Sequence, residues 1–302
     1  MTGSANIPEG GCGFDRILAF TVPGRDARGR LVRLGPVLDD VLGAHEYPAP
    51  LLHLLSEALV LTALMGSLLK DDSGQLTFQA QAEGGAVDLL VCDYRDGEVR
   101  GYVQHDPDKL GNVGASPSLE ALFGTGYLAI TFDMIASEER YQGIVPLEGG
   151  SLAEACENYF RQSEQIPTLL RIAVRSDGNH SVAGGLLVQH FPTGEEGQVR
   201  LHTLDDNTEW EHISIIASST RHDELISQEL GLEQLVWRLF HEESEVRVEP
   251  RASLTKGCRC TPQRYCEILS RFPEAERIEM RDADGLIPVD CAFCSKIFRI
   301  AA

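Results

Sequence analysis

The sequence predicts an α+β fold: a large N-terminal domain of sheet and helix, a helical linker, and a small C-terminal domain rich in cysteine. Three observations point there. Short β-rich segments run through the first two thirds of the chain without the regular alternation with helices that a parallel βαβ sheet requires. Two helical patterns interrupt them. Five of the eight cysteines are gathered between Cys258 and Cys294.

In chain order, the predicted strands are residues 30–34 (RLVRL), 76–82 (LTFQAQA), 87–92 (VDLLVC), 100–104 (RGYVQ), 127–132 (YLAITF), 171–175 (RIAVR) and 185–189 (GLLVQ). Each is short, rich in β-branched or aromatic residues, and bounded by Gly, Asp or Pro. Residues 51–70 read as a helix apolar nearly all round, and therefore central. Its longest uncharged stretch, residues 58–69, is twelve residues long. A membrane span needs about 20, so this is a core helix. Residues 152–165 form a second helix, with Leu152, Ala155, Tyr159 and Phe160 roughly on one face and Ser151 with Glu154 as a capping box. A Gly- and Glu-rich turn at 193–197 then opens a region with helical patterns at 223–230 and 232–241. Leu225, Ile226, Leu230, Leu232, Leu235, Val236, Leu239 and Phe240 make a narrow apolar stripe among crowded like charges. Short helices of this kind depend on tertiary packing for their stability.

Charge divides the chain the same way. Over 302 residues, 26 basic and 46 acidic side chains leave a net −20. Residues 1–192 hold 25 acids and 13 bases, residues 193–250 hold 14 and 4, and residues 251–302 hold 7 and 9. Half of the acidic excess therefore sits in the 58-residue linker. The three domains expected are 1–192, 193–250 and 251–302. Such a balance repels phosphate backbones and speaks against nucleic acid as a partner. No secretory signal is legible at the start of the chain, and with no spanning segment and clustered free thiols the expected place is the cytosol, without membrane association.

A module of about fifty residues is too small to fold securely on its own core. Cys258-Arg259-Cys260, thirty intervening residues, and Cys291-Ala292-Phe293-Cys294 place a CxC and a CxxC pair at its two ends. Four thiolates suit the soft, tetrahedral preference of zinc, and a four-sulfur site has no open position for catalysis. A single Zn2+ held by Cys258, Cys260, Cys291 and Cys294 is the predicted cofactor. Metal binding in so small a module contributes on the order of 10 kcal/mol, most of it folding free energy.

Oxidation of these thiols has consequences that depend on pairing. Bridges between near neighbours close almost no loop and restrain the unfolded chain very little, whereas bridges across the two motifs would preserve the module. The spacing allows all three connectivities. Lys256, Arg259, Arg264, Lys296 and Arg299 flank the motifs, where they either favour thiolate or offset the −2 charge of a zinc tetrathiolate. Cys266 reads as a buried structural cysteine on a helix after Pro262, and Cys92 as buried and inert. The acid pairs Asp39-Asp40 and Asp71-Asp72 read as solvated turns. No phosphate-binding loop, nucleophile elbow or HExxH motif is present, so no enzymatic or ATP-driven activity is expected.

The cysteine tetrad is accompanied by residues 140–149 (RYQGIVPLEG), 160–167 (FRQSEQIP), 57–66 (EALVLTALMG) with Lys70, and 183–189 (AGGLLVQ). In these features, over nearly its whole length, the chain resembles the Hsp33 family of redox-regulated chaperones. Its departures are an extension before about Phe14, the acidic stretch 193–197, and Cys266. The resemblance implies an ATP-independent holdase, inactive when reduced and zinc-bound. It implies that oxidation joins Cys258 with Cys260 and Cys291 with Cys294, releases zinc, unfolds the C-terminal domain and destabilises the linker. It further implies homodimerisation on activation, binding of unfolded or oxidatively damaged clients, and their hand-over to ATP-dependent foldases. Leu225, Ile226, Leu230, Leu235, Leu239 and Phe240 are the candidate client contacts. Two other readings of the cysteines are a nucleic-acid-binding zinc ribbon and a thiol-disulfide oxidoreductase.

Overall fold

The computed structural model describes residues 13–69, 74–114, 117–134, 139–177, 180–191 and 208–301. The chain enters through β1 (Arg16–Val22) and β2 (Ala27–Leu34), then α1 (Pro36–Leu42) and α2 (Ala49–Gly66). A meander of β3 (Gln75–Gly84), β4 (Val87–Arg95) and β5 (Glu98–His105) follows. Short helices α3 (Pro107–Leu110) and α4 (Leu119–Phe123) lead to β6 (Gly124–Met134) and β7 (Glu139–Pro146); α5 (Leu152–Tyr159) precedes β8 (Thr168–Ser176) and β9 (Ser181–His190). Beyond these come α6 (Thr208–Ser218), α7 (His222–Leu225), α8 (Leu232–Phe240), β10 (Arg247–Ser253) and β11 (Thr255–Lys256). The chain closes with α9 (Pro262–Leu269), α10 (Glu274–Glu279), β12 (Ile287–Asp290) and β13 (Ile297–Ile300).

Two sheets enclose α2. The first has the strand order β10-β1-β2-β9-β8, the second β11-β5-β4-β3-β6-β7. Thirteen of the eighteen residues of α2 are buried, on all sides of the helix, because it meets strands of both sheets. By length and composition α2 is long and apolar enough to cross a membrane, but 72% of it is buried inside the fold. Its Ser56 and Thr62 hydroxyls donate to the carbonyls of Leu52 and Ala58, at 2.6 and 2.7 Å, and so carry no unmet polar demand into the core. The mixed helix-and-sheet class is therefore as the sequence predicts.

The outer face of the first sheet is covered by the linker. Leu225, Ile226, Leu232, Leu235, Val236 and Phe240 pack with Leu18, Phe20, Leu31, Leu186 and Val188 in one apolar cluster. This is why every residue of β9 is buried: α2 lies on one face and the linker on the other. The paired glycines of the 183–189 motif serve these two faces. A Cβ on Gly185 would lie 2.6 Å from Val60 of α2, and one on Gly184 would lie 2.3 Å from the carbonyl oxygen of Leu225. Strand β10 then returns beside β1, and the chain crosses to the second sheet, where β11 runs parallel to β5.

All seven predicted strands are present, each longer than read, and β1, β7, β10 and the last three strands are additions. The predicted helix 152–165 divides into α5 and a π-helical turn at Phe160–Glu164. Gly143 of β7 approaches Tyr159 closely, and the Tyr159 hydroxyl donates to Glu164 at 2.6 Å, which draws the chain inward there. Ser151 accepts from Glu154 N–H as predicted, but Glu154 accepts from Gly150 N–H, so the capping box is displaced by one residue. The helix expected over 223–230 is the single turn α7. At its C-terminal end, the carbonyls of Glu224 and Leu225 accept from Arg33. Asp39 lies in α1, where it accepts from Ser181 N–H, so it is not a solvated turn residue. Asp71, Asp72 and the turn at 193–197 lie outside the described residues.

Candidate metal centre

The CxC pair lies in the extended segment between β11 and α9, and the CxxC pair in the turn between β12 and β13. Each motif is locally specified. Thr261 accepts from Arg264 N–H and caps α9 with Pro262 at its first turn, fixing the exit from Cys260. In the second motif, Cys294 and Ser295 donate backbone N–H bonds to the Cys291 carbonyl, at 3.2 and 2.8 Å. Ser295 takes a left-handed conformation, φ 54°, and returns the chain into β13.

The fold brings all four sulfurs together. Cys258 Sγ is 3.3 Å from Cys260 Sγ and 3.5 Å from the sulfurs of Cys291 and Cys294, and Cys260 is 3.5 Å from Cys294. All four ligand atoms lie within 4.8 Å of one another. Tetrahedral zinc with bonds of about 2.3 Å spaces its sulfurs about 3.8 Å apart, so these residues fit that ion with small adjustments. None of the four is in a disulfide. Burial works to raise the Cys291 thiol, but bonds from the Tyr265 hydroxyl, from the backbone N–H groups of Phe293 and Cys294, and from Cys258 bring it down to about 7. Tyr265 is the outer support of the site, its ring tilted against Phe298 with centroids 5.2 Å apart.

Little else holds the module. Its apolar cluster is Leu269, Ile287 and Ile300, with Tyr265, Val289 and Phe298 packed against it. Such a core supplies a few kcal/mol before chain entropy is counted, so a cross-link between the two ends decides whether the module folds.

The module docks on the β5 edge of the second sheet. Phe293, inside the CxxC, meets Tyr102 edge-on at 4.9 Å and lies under the Arg100 guanidinium at 3.9 Å. Arg100 is held by Asp93 at 2.6 Å, a pair with little exposure on either side. Arg259, inside the CxC, donates to Gln75; Gly257 N–H donates to the Val99 carbonyl at 2.9 Å, and Ser295 bonds His45 at 3.2 Å. Both metal motifs therefore contact the large domain directly.

The flanking basic residues have other partners. Lys256 donates to the Asp40 carbonyl, and Arg299 pairs with Asp282 and Asp284. Cys266 is exposed on α9, a correction to the buried position expected of it: the burying face of that amphipathic helix carries Tyr265 and Leu269 instead. Cys92 is fully buried, and burial pushes its thiol up, as for an inert core cysteine. Of the candidate client contacts, Leu225, Ile226, Leu235 and Phe240 are buried against the first sheet, and Leu230 and Leu239 are half-buried beside them. Sequence reasoning missed Tyr265, Phe293 and Arg33. An aromatic residue inside a four-residue metal turn was the available signal for Phe293; a basic residue in a strand gave no signal for Arg33.

Comparison with known proteins adds three findings. A family model described as Hsp33 protein matches residues 15–301. A 33 kDa chaperonin of Caulobacter vibrioides is 39% identical over 301 residues, covering 97% of each chain, and one of Photorhabdus laumondii is 33% identical over 280 residues, covering 93% of this chain and 91% of its own. The crystal structure of a 33 kDa chaperonin, a heat shock protein 33 homologue from Thermotoga maritima, superposes with a TM-score of 0.76 at 22% identity, covering 95% of this chain and 94% of that one.

Proposed function

The chain belongs to the Hsp33 family, and from that premise we propose that it is a redox-regulated, ATP-independent chaperone, not an enzyme, that holds unfolding proteins and prevents their aggregation. One observation carries the regulatory part: four thiols gathered around a single point are the staple of a module whose own core is six side chains. Cys258, Cys260, Cys291 and Cys294 would hold zinc, which supplies a structural cross-link between the two ends of the module. Joining Cys258 to Cys260 and Cys291 to Cys294 transfers two electrons per bridge to an oxidant such as peroxide or hypochlorous acid. The bridged sulfurs lose the anionic charge that binds metal, and the two short loops restrain the chain very little.

The consequence for the large domain follows from contact. Loss of the module removes Phe293 from Tyr102 and Arg259 from Gln75, and leaves β11 without the fold that follows it. The linker, residues 193–250, lies between the module, 251–302, and the N-terminal domain, 1–192. The boundary at 250/251 falls within β10, so tension on that strand reaches the linker directly. Release of α7 and α8 bares Leu225, Ile226, Leu230, Leu235, Leu239 and Phe240, an apolar surface in a strongly acidic chain that retains clients without precipitating. Cytosolic location, dimerisation of the active form and hand-over to ATP-dependent foldases belong to this reading.

The test is zinc release measured beside light scattering of a denaturing client, before and after peroxide at mild heat. One zinc per chain should leave as suppression of scattering appears. Release without suppression would overturn the reading. Asp at both Leu235 and Leu239 should abolish suppression by the oxidised protein; retained suppression would remove these residues from the client site.

A further inference from the structure

Strand β8 closes one end of the first sheet, and its outer edge pairs with no strand among the described residues. The direction of its main chain is settled by one bond: Leu170 N–H, turned away from β9, donates to the Glu157 carboxylate at 2.6 Å. In an antiparallel ladder alternate residues face the same way, so Ile172 and Val174 also turn their N–H and C=O groups outward. Along this edge runs a cavity of about 500 Å3, lined by the continuous stretch 169–174, with α2 and α5 as one wall and His222 of α7 on the other. It adjoins a second cavity of about 430 Å3 that shares His53, Glu57, Ser151 and Val174. An unprotected edge of this kind is ordinarily blocked by a neighbouring element or a charge. Among the described residues the block is the Glu157 carboxylate at Leu170, and the edge beyond it faces the cavity.

We propose that the outer edge of β8 is a strand-addition site for an extended segment of an unfolded polypeptide that carries basic side chains. Main-chain bonds to Ile172 and Val174 recognise any extended chain regardless of sequence, and pockets beside the edge select side chains. The groove presents Glu154 and Glu157, with Glu57 deeper and part-protonated at neutral pH, against one permanent cation, Arg171, with His53 and His222 at its walls. That balance favours lysine or arginine. Residues 170–174 span about 13 Å at ~3.3 Å per residue, room for two bonding positions of an added strand. The site rests on the chaperone reading, to which it adds a docking mode that does not use the linker's apolar stripe.

The experiment uses the full-length protein in its reduced, zinc-loaded form and after oxidation. The probe is a labelled ten-residue peptide alternating valine and lysine. Binding, read by anisotropy, should slow amide exchange at Ile172 and Val174 at least tenfold in one or both forms. N-methylation of alternate peptide amides, or exchange of its lysines for glutamate, should each weaken binding at least tenfold. Ile172→Pro removes an edge N–H without touching the β9 ladder and should do the same; should it fail to fold, Glu157→Lys opposes the lysine peptide and should weaken it equally. Absence of binding, binding indifferent to N-methylation, or binding without protection at Ile172 and Val174 overturns the proposal. Client light scattering separates the two readings. Oxidised protein that suppresses aggregation but leaves these amides unprotected by the peptide defeats this site alone. Failure of suppression defeats the chaperone reading, while the site still stands or falls on amide protection.

Discussion

Arg33 has no exposed surface, yet its guanidinium donates to three linker carbonyls, Leu225 at 2.8 Å, Glu224 at 3.0 Å and Leu230 at 2.8 Å. Among the described residues no carboxylate lies at bonding distance; the carbonyls at and after the end of α7 take the charge. Burial holds its pKa down, to about 10, and leaves it cationic at neutral pH. Arg33→Met would remove three charge-assisted bonds and strand buried acceptors, at about 3 kcal/mol of linker docking. Amide exchange across α7 and α8 should then rise about a hundredfold with zinc still bound. Glu57 makes a pH prediction. Burial at the start of α5 raises its carboxyl to about 7, against the lowering effect of the Ala153 and Leu152 N–H groups. The folded state then binds more protons than the unfolded state between about 4.5 and about 7, so Glu57 costs stability as pH rises through that window. Glu57→Gln should flatten that part of a denaturation-midpoint profile and leave the protein more stable at pH 8. Neither role is legible in sequence, because each depends on residues far along the chain.

Elements were legible in proportion to how local their causes are. Seven strands announced themselves by β-branched and aromatic runs; β1, an equally apolar run buried in the first sheet, did not figure among them. Nor did β10: it contains Pro250 and three charged residues, Arg247, Glu249 and Arg251, with Val248 its one large apolar residue, and it pairs because β1 offers an edge. α7 was overread because its apolar spacing continues past Leu225, where Arg33 takes the carbonyls that would have extended it. Phe293→Ala removes an edge-on aromatic contact and a cation–π contact, together about 2 kcal/mol of docking. Zinc affinity, measured by competition with a chromogenic chelator, should change little, while amide exchange in β5 and β11 should rise about thirtyfold.

For the whole molecule, the arrangement is a large core enclosed by two sheets, a linker laid across one of them, and a small module with a core of few side chains that docks on the second sheet. Chelation of zinc under reducing conditions should therefore melt α9, β12 and β13 in hydrogen exchange while α2 and β9 stay protected, and restoring zinc should reverse it. Unchanged protection in β12 and β13 would mean the dock alone sustains the module. The sequence by itself determined the α+β class, the central helix and the four cysteines that the fold gathers at one point, since composition, periodicity and a short paired spacing act within a few residues. It also showed that the linker stripe needed burial. Only the tertiary structure decided where: Gly184 admits the Leu225 carbonyl, Arg33 bonds the end of α7, and Phe293 seats on Tyr102. The physical reason is separation. An apolar or charged side chain fixes how much it gains from a partner, but not which of many distant partners the folded backbone will place beside it.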